Sequence, residues 1–340
     1  MTNKTIKISD IAAKLNISSS TISRALSNPN LVAKKTRKFI LKEVNKLKYI
    51  PNIHARNLRT KSSKTIIFLV RDIDNPFYFE IFRGIEKVAK KIGYSVLMGS
   101  TDNDLKKEID FFNMVKSNQV DGMILMTGRL PSRKVFSLNE LKQMPIILSL
   151  EDIPGVNFNS ITIDNYQASK EATNYLIKLG HKKIAHIASP LSETRIGILR
   201  RDGYRDALKE SGIKINSKFE FIGDYTVESG VAACKQLFKN ANVPTAIFCS
   251  NDEMAYGAIN QLRRMKISVP NKVAVIGFDD LPMSKSFYPP LSTIYQPRFQ
   301  IGEKSMELLF EKIKIKKNKI DNIKLKTKLI IRESTAKIKK

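Results

Sequence analysis

From Thr65 onward, short apolar and β-branched runs alternate with amphipathic helical stretches, and this alternation constrains the fold more than any other feature. The predicted strands are Ile66–Val70, Ser95–Met98, Gly122–Met126, Ile146–Leu148, Ile184–Ile187, Phe219–Ile222, Ala246–Phe248 and Val273–Ile276. Between them the spacing predicts helices over Tyr78–Ile92, Gln167–Leu179, Arg200–Ser211, Val227–Lys239 and Asp252–Met265. Strand, helix and strand in succession call for right-handed crossovers, and so for an α/β fold of parallel sheets. The run divides into two similar halves, about 65–163 and 164–292, with the tail from Leu291 left to cross back between them.

Two doubly wound halves leave a crevice outside the carboxyl ends of their strands, where small ligands bind. The loops at those ends carry Asp72-Ile73-Asp74-Asn75-Pro76-Phe77-Tyr78, SPLSETRIGILRR, Gly223-Asp224-Tyr225, Ser250-Asn251-Asp252 and Gly277-Phe278-Asp279-Asp280. Together they supply carboxylates, arginine, amide and aromatic rings, which suits a polyhydroxylated ring or a nucleoside. Asp104 and Asp252 are expected to serve as helix N-caps instead.

The first 64 residues follow a different pattern. They hold 15 Lys/Arg against Asp10 and Glu43, a net +13 within a total of +27. A concentrated basic block is the electrostatic footprint of a polyanion partner. Ile8, Ile11, Ala12 and Leu15 follow helical spacing, and Asn16 is a reasonable left-handed stop. Ser18 is an N-cap candidate for a second helix with Ile22, Ala25 and Leu26 inward, and Asn28-Pro29-Asn30 breaks it. A third helix is expected from about Lys34 to Leu47, with Ile40, Val44 and Leu47 buried.

That arrangement is a helix-turn-helix unit, whose second helix points its N-terminal residues at base edges in the major groove. Here those residues are Ser19, Ser20 and Thr21, with Arg24 one turn on. Arg can pair bidentately with guanine. The segment IHARNLRTKSSK reads either as a plain linker, which Thr60 to Lys64 is in both readings, or as a helix that forms only on DNA. In that helix Leu58 would wedge between minor-groove base steps and Arg56 or Arg59 would neutralise phosphate.

Other functions find little support. No two glycines stand two apart, which excludes GxGxxG, and there is no GxxxxGK loop or HExxH. His181 and His186 are expected to be structural, and Cys234 and Cys249 make no zinc site or disulfide framework. No cofactor and no metal are expected. The longest apolar runs are strand-length, so no membrane span is expected. Met1-Thr2-Asn3-Lys4 leads into no apolar segment, so the expectation is no secretion signal and a cytoplasmic location.

The residues ISDIAAKLNISSSTISRALSN, KTRKFILKEVNKLKYIPN and HARNL together resemble the DNA-binding headpiece of the lactose/galactose-repressor (LacI-type) family of bacterial transcription regulators. DNPFYFEIFRGIE, DGMILM, ITIDN, GHKKIAHIA, RRDGYRDAL, PTAIFCSNDEMAYGA, VAVIGFDD, PPLSTIYQP and LIIREST extend the likeness over nearly the whole chain. The resemblance implies a small all-α helix-turn-helix headpiece (1–50), a hinge helix and linker (51–64), and a two-lobed periplasmic-binding-protein-like core of parallel sheets (65–340). It implies DNA contacts at Ser18, Ser19, Ser20, Thr21, Arg24, Thr36, Tyr49, Asn52, Ala55 and Leu58. It implies effector contacts at Phe77, Arg195, Arg200, Tyr225, Asn251 and Asp279.

The function implied is that of a ligand-controlled repressor acting as a homodimer on palindromic operator DNA. GRLP, GDYTVESG and QPRFQIG lean toward the cytidine-repressor branch, so a nucleoside effector is preferred over a sugar. Two departures stand out: Lys7 and Ala33 occupy positions where the family usually has a capping Thr and Ser. The helix Tyr78–Ile92 and the strand end near Phe278 to Met283 are candidate dimer surfaces.

Overall fold

The computed structural model describes residues 6–27, 29–47, 49, 62–151, 153, 156–191, 195–239, 241–315 and 320–338. Residues 1–62 and 63–340 form two compact units. The expected hinge contacts Asn52, Ala55 and Leu58 lie outside the described residues.

The first unit holds α1 (Ile8–Leu15), α2 (Ser19–Ser27) and α3 (Lys34–Lys46), with a 3-10 turn at Pro29–Leu31. Ile11, Ile22, Ala25, Ile40 and Val44 are buried together, and Ile8, Ala12, Leu15, Leu26, Leu47 and Tyr49 pack around them. These are the faces that the helical spacing marks. Asn16 ends α1 in the left-handed conformation, φ 51°. Its N–H donates to Ala13 O while Ile17 N–H reaches Ala12 O, which closes the helix end.

The second unit begins with β1 (Thr65–Val70), α4 (Phe77–Lys91), β2 (Ser95–Ser100), α5 (Leu105–Lys116), β3 (Gly122–Met126), α6 (Leu138–Gln143), β4 (Ile146–Ser149) and β5 (Ser160–Ile163). The chain continues through α7 (Asn165–Lys178), β6 (Ile184–Ala188), α8 (Arg195–Glu210), β7 (Glu220–Ile222), α9 (Val227–Leu237), β8 (Ala246–Cys249), α10 (Asp252–Arg264) and β9 (Ala274–Ile276). The tail adds β10 (Thr293–Tyr295), α11 (Arg298–Ile315), β11 (Asn322–Leu325) and β12 (Lys328–Ile330).

Two parallel sheets result. Lobe one has the order β11-β5-β4-β3-β1-β2 and lobe two the order β7-β6-β8-β9, while β10 and β12 form a small antiparallel pair. Bridges Ile276–Ser292 and Asp279–Tyr295 hold β10 alongside the end of β9. The chain therefore passes between lobes at Asp164, at Gln296–Pro297 and at Lys326–Thr327. Lys324 Nζ meets Asp164 Oδ2 at 3.1 Å, tying the first of these passages to the strand that precedes the last.

Successive strand residues point to opposite faces. Ile66, Phe68 and Val70 of β1 join one apolar cluster, and Ile67 and Leu69 join another. Helices cover both faces, which is why the strand reads as an unbroken apolar run. Behind one face, α4 and α11 approach so closely that a Cβ on Gly84 would overlap Phe299 O, and one on Gly302 would overlap Ile81 O. The same reciprocity joins α9 and α10, where Gly230 meets Met254 O and Gly257 meets Val227 O. Any larger residue there must push two helices apart. Among the described residues no helix is long and apolar enough to cross a membrane.

Candidate DNA interface and ligand cleft

Ser18 caps α2. Its Oγ accepts the Thr21 N–H at 3.2 Å and lies 2.9 Å from Ser20 Oγ and 2.8 Å from Thr21 Oγ1. Ser18 is thus engaged in shaping the helix start, while Ser19, Ser20 and Arg24 are exposed and Thr21 is half-buried. All but Thr21 are open to a partner, and the inward residues Ile22 and Ala25 fix which way that helix faces. Thr36, in the first turn of α3, and Tyr49 are both half-buried. Neither Lys7 nor Ala33 makes a side-chain capping bond. Asp10 compensates at α1 by accepting the Lys7 N–H at 2.8 Å; α3 has no such help, since its first turn carries no acidic residue.

The cleft of the second unit lies where the loops after the strands converge. Arg71, Asp72, Asn75, Phe77, Tyr78, Met126, Leu150 and Glu151 line it from lobe one. Asn165, Ile196, Arg200, Asp224, Tyr225, Asn251, Asp279 and Gln296 line it from the lobe-two side. The space between these groups, open mouth included, is about 730 Å³. Among the described residues no cluster of three or more His, Cys, Asp or Glu is arranged to hold a metal.

Arg200 is buried on α8. Its Nε donates to Asn165 Oδ1 at 2.9 Å, its Nη1 donates to Ser250 O, and its guanidinium carbon lies 3.6 Å from the Phe278 ring centroid. Burial pulls its pKa down and Asp279 foremost opposes that shift. Asp279 has φ 125° and the next residue, Asp280, φ 54°, so two consecutive carboxylates sit in conformations that L-residues rarely adopt. The turn sends them apart. Asp279 Oδ1 accepts Gln296 Nε2 at 2.6 Å in the cleft, and Asp280 Oδ1 meets Arg332 Nη2 at 2.6 Å.

Asn251 is the N-cap of α10, accepting the Met254 N–H at 3.0 Å, and its Nδ2 donates to Tyr225 O at 2.8 Å. This corrects the expectation for Asp252, which is buried just inside the helix and caps nothing. Its carboxyl accepts from Leu281 N–H at 2.8 Å, Ser284 Oγ at 2.6 Å and Thr293 Oγ1 at 2.6 Å. Asp252 thereby anchors the turn that presents Asp279. Burial raises its pKa, and the charge of Asp279 adds to that. Asp104 does cap α5, accepting Lys106 N–H at 2.8 Å.

Five of the six expected effector residues, Phe77, Arg200, Tyr225, Asn251 and Asp279, share the cleft. Arg195 is not among the lining residues. The segment read as a loop is already helical there, and Arg195 opens α8 while its neighbour Ile196 meets the cleft. Glu151, Asn165 and Gln296 line the cleft without having been marked in the sequence. Glu151 follows β4, a strand already predicted from the sequence, so the strand-end rule could have found it; Gln296 follows β10, which is not predicted, and is reached only once that strand is known. Within the candidate dimer stretch, Phe278 and Leu281 are buried, which leaves Met283 exposed at 58%.

Both histidines of the core are structural. His181 bonds Thr245 Oγ1 and Ala336 O, each at 3.1 Å, and His186 Nε2 meets Ser250 Oγ at 2.9 Å with its ring stacked on Phe248. Burial holds His186 down to about 3, so it is neutral near pH 7.

A helix-turn-helix unit with its second helix bared, on a chain whose remaining residues close two parallel-sheet lobes around a polar cleft, defines a ligand-responsive transcription regulator. Residues 7–52 match the bacterial regulatory proteins of the lacI family, and residues 63–333 match the periplasmic binding proteins and sugar binding domain of the LacI family. The chain belongs to the lacI family of bacterial regulatory proteins, DNA-binding repressors with an effector-binding domain.

It is 37% identical over 327 residues to the HTH-type transcriptional repressor CytR of Escherichia coli (strain K12), covering 96% of this chain and 95% of that protein. It is similar to the lac repressor dimer bound to operator and the anti-inducer ONPF, with TM-score 0.85 and 26% identity, over 98% of this chain and 100% of that one. The cellobiose complex of the transcriptional regulator CelR matches with TM-score 0.74 and 27% identity, over 97% of this chain and 99% of that one.

Proposed function

We propose that the protein is a cytoplasmic homodimer that represses from a palindromic operator and is switched by a nucleoside or, second, a sugar bound between the two core lobes. The observation that carries this reading is the convergence of Phe77, Arg200, Tyr225, Asn251 and Asp279 from separate elements of both lobes onto one cleft. Aromatic faces, a cation and carboxylates in one place suit a hydroxylated ring or a nucleoside.

Residues 1–50 then read the operator, 51–64 form the hinge, and 65–340 bind effector and dimerise. Ser19, Ser20 and Arg24 read base edges, Ser18 and Thr21 set the start of the reading helix, Thr36, Tyr49, Asn52 and Ala55 hold the backbone, and Leu58 wedges the minor groove. A two-fold protein mirrors a palindromic site. Ile73, Phe79, Leu97, Ile222 and Met283 are among the exposed apolar groups available to a dimer interface. Effector binding changes the angle between lobes, and with it the spacing of paired hinges. Arg195 has no part in the cleft in this reading.

The test is the Asp279→Ala variant in an operator-binding titration with and without effector. A lost effector response is expected. A response equal to that of the parent protein would move the ligand site elsewhere.

A further inference from the structure

The two sides of the cleft differ in chemistry. Lobe one contributes the buried Phe77, Tyr78, Met126 and Leu150, with Arg71, Asp72 and Asn75 beside them, while the lobe-two side contributes Asn165, Arg200, Asp224, Asn251, Asp279 and Gln296, with Ile196 and Tyr225. Glu151 sits in the apolar wall, 7% exposed, directly after Leu150, whose φ of 61° turns the chain at the end of β4. Among the described residues no hydrogen bond reaches its carboxyl, although it lines the cleft. Asp72 and Asp279 are in a different position, since each already accepts a hydrogen bond from the protein.

We propose that Glu151 selects the effector by pairing with an adjacent donor and acceptor on the edge of a heterocyclic base, so that a nucleoside lies with its base on the lobe-one wall and its ribose hydroxyls on the polar groups of lobe two. The inference rests on the cleft being the effector site. Arg71 and Arg200 are the cations acting on Glu151 and favour its ionised form; Tyr78 shares its wall, and Asp72, Asp224, Tyr225 and Asp279 line the same cleft. Burial outweighs the two arginines and pushes the carboxyl up to about 8. At neutral pH it therefore offers an O–H donor beside a C=O acceptor. A flat base edge meets both in one plane while its faces cover the apolar wall. Ribose hydroxyls, which donate freely, match the carboxylates and amides opposite.

Titration calorimetry of the full chain against cytidine, 3-deazacytidine and ribose, from pH 6.5 to 9.5, tests this. Cytidine carries an amino donor beside a ring-nitrogen acceptor, and the deaza compound replaces that acceptor with C–H. Cytidine is expected to bind at least about tenfold more tightly than 3-deazacytidine, as expected for one lost hydrogen bond to a desolvated partner. Its affinity should be flat to about pH 8 and then fall about tenfold per unit as the proton is lost. Glu151→Gln, which keeps a donor and an acceptor but cannot titrate, should retain binding and lose the alkaline fall. Glu151→Leu should lose binding.

Cytidine binding to Glu151→Leu at parental affinity, or an alkaline fall preserved in Glu151→Gln, would overturn the proposal. Ribose binding more tightly than cytidine would overturn it while leaving the effector site standing. If no nucleoside or sugar binds the parent chain, both readings fail together.

Discussion

Arg298 Nη2 meets Glu80 Oε2 at 2.8 Å and donates to Asp280 O at 2.9 Å, so one guanidinium nitrogen joins α4 of lobe one to the Asp279-Asp280 turn of lobe two. Arg298 lies where the chain passes between lobes and is 3% exposed, whereas the Glu80 side chain is 39% exposed. The contact holds this arrangement of the lobes against any other, and solvent screening keeps its worth small. Glu80→Gln is expected to change the coupling between effector and operator by up to about threefold. The effect of effector on operator affinity and of operator on effector affinity must change by the same factor, because coupling is reciprocal. Paired titrations of effector and operator check this. Coupling equal to that of the parent chain would show that the contact does not belong to the switch.

The start of α3 offers a gain rather than a loss. Ala33 leaves the first-turn N–H groups without a side-chain acceptor. Ala33→Ser should stabilise the helix start by about 1 kcal/mol. Hydrogen exchange of the full chain should show the first amides of α3 protected about fivefold more. Unchanged or faster exchange would mean those groups already have partners.

The pH dependence of lobe two should carry the signature of His186. Its folded pKa of about 3 lies below the ordinary value of 6.5, so below pH 6.5 the unfolded chain binds a proton that the folded chain refuses. Stability from this group is full above pH 6.5 and is lost as pH falls toward 3, by at most about 1.4 kcal/mol per unit. Melting curves from pH 7.5 to 5 should fall more steeply for the parent chain than for His186→Phe. Equal slopes would place the acid sensitivity in other groups.

The sequence exposes the lobes clearly because strands such as β1 and β3 are buried on both faces and read as plain apolar runs. It hides β11 and β12, whose lysines alternate with half-buried Ile and Leu at a sheet edge. It hides α11 too: the tail from Leu291 is expected to add to both lobes, but no helix is predicted within it. At the cleft, Asp279 and Arg200 are legible as chemistry-bearing residues beyond strand ends. Asp252 is misread because its capping role is already filled by Asn251, one residue earlier. Glu151 was unmarked because a single carboxyl after a short strand looks like any solvated loop residue until its burial is known.

The most direct test of the regulator reading is selection of binding sites from random duplexes by the full chain, repeated with a panel of nucleosides and sugars. The expected result is a palindromic site whose affinity shifts with one ligand by about 5–150-fold, the usual range of allosteric coupling. Binding of equal strength to selected and random DNA under every ligand would contradict it, and would leave the exposed Ser19, Ser20 and Arg24 with no sequence to read.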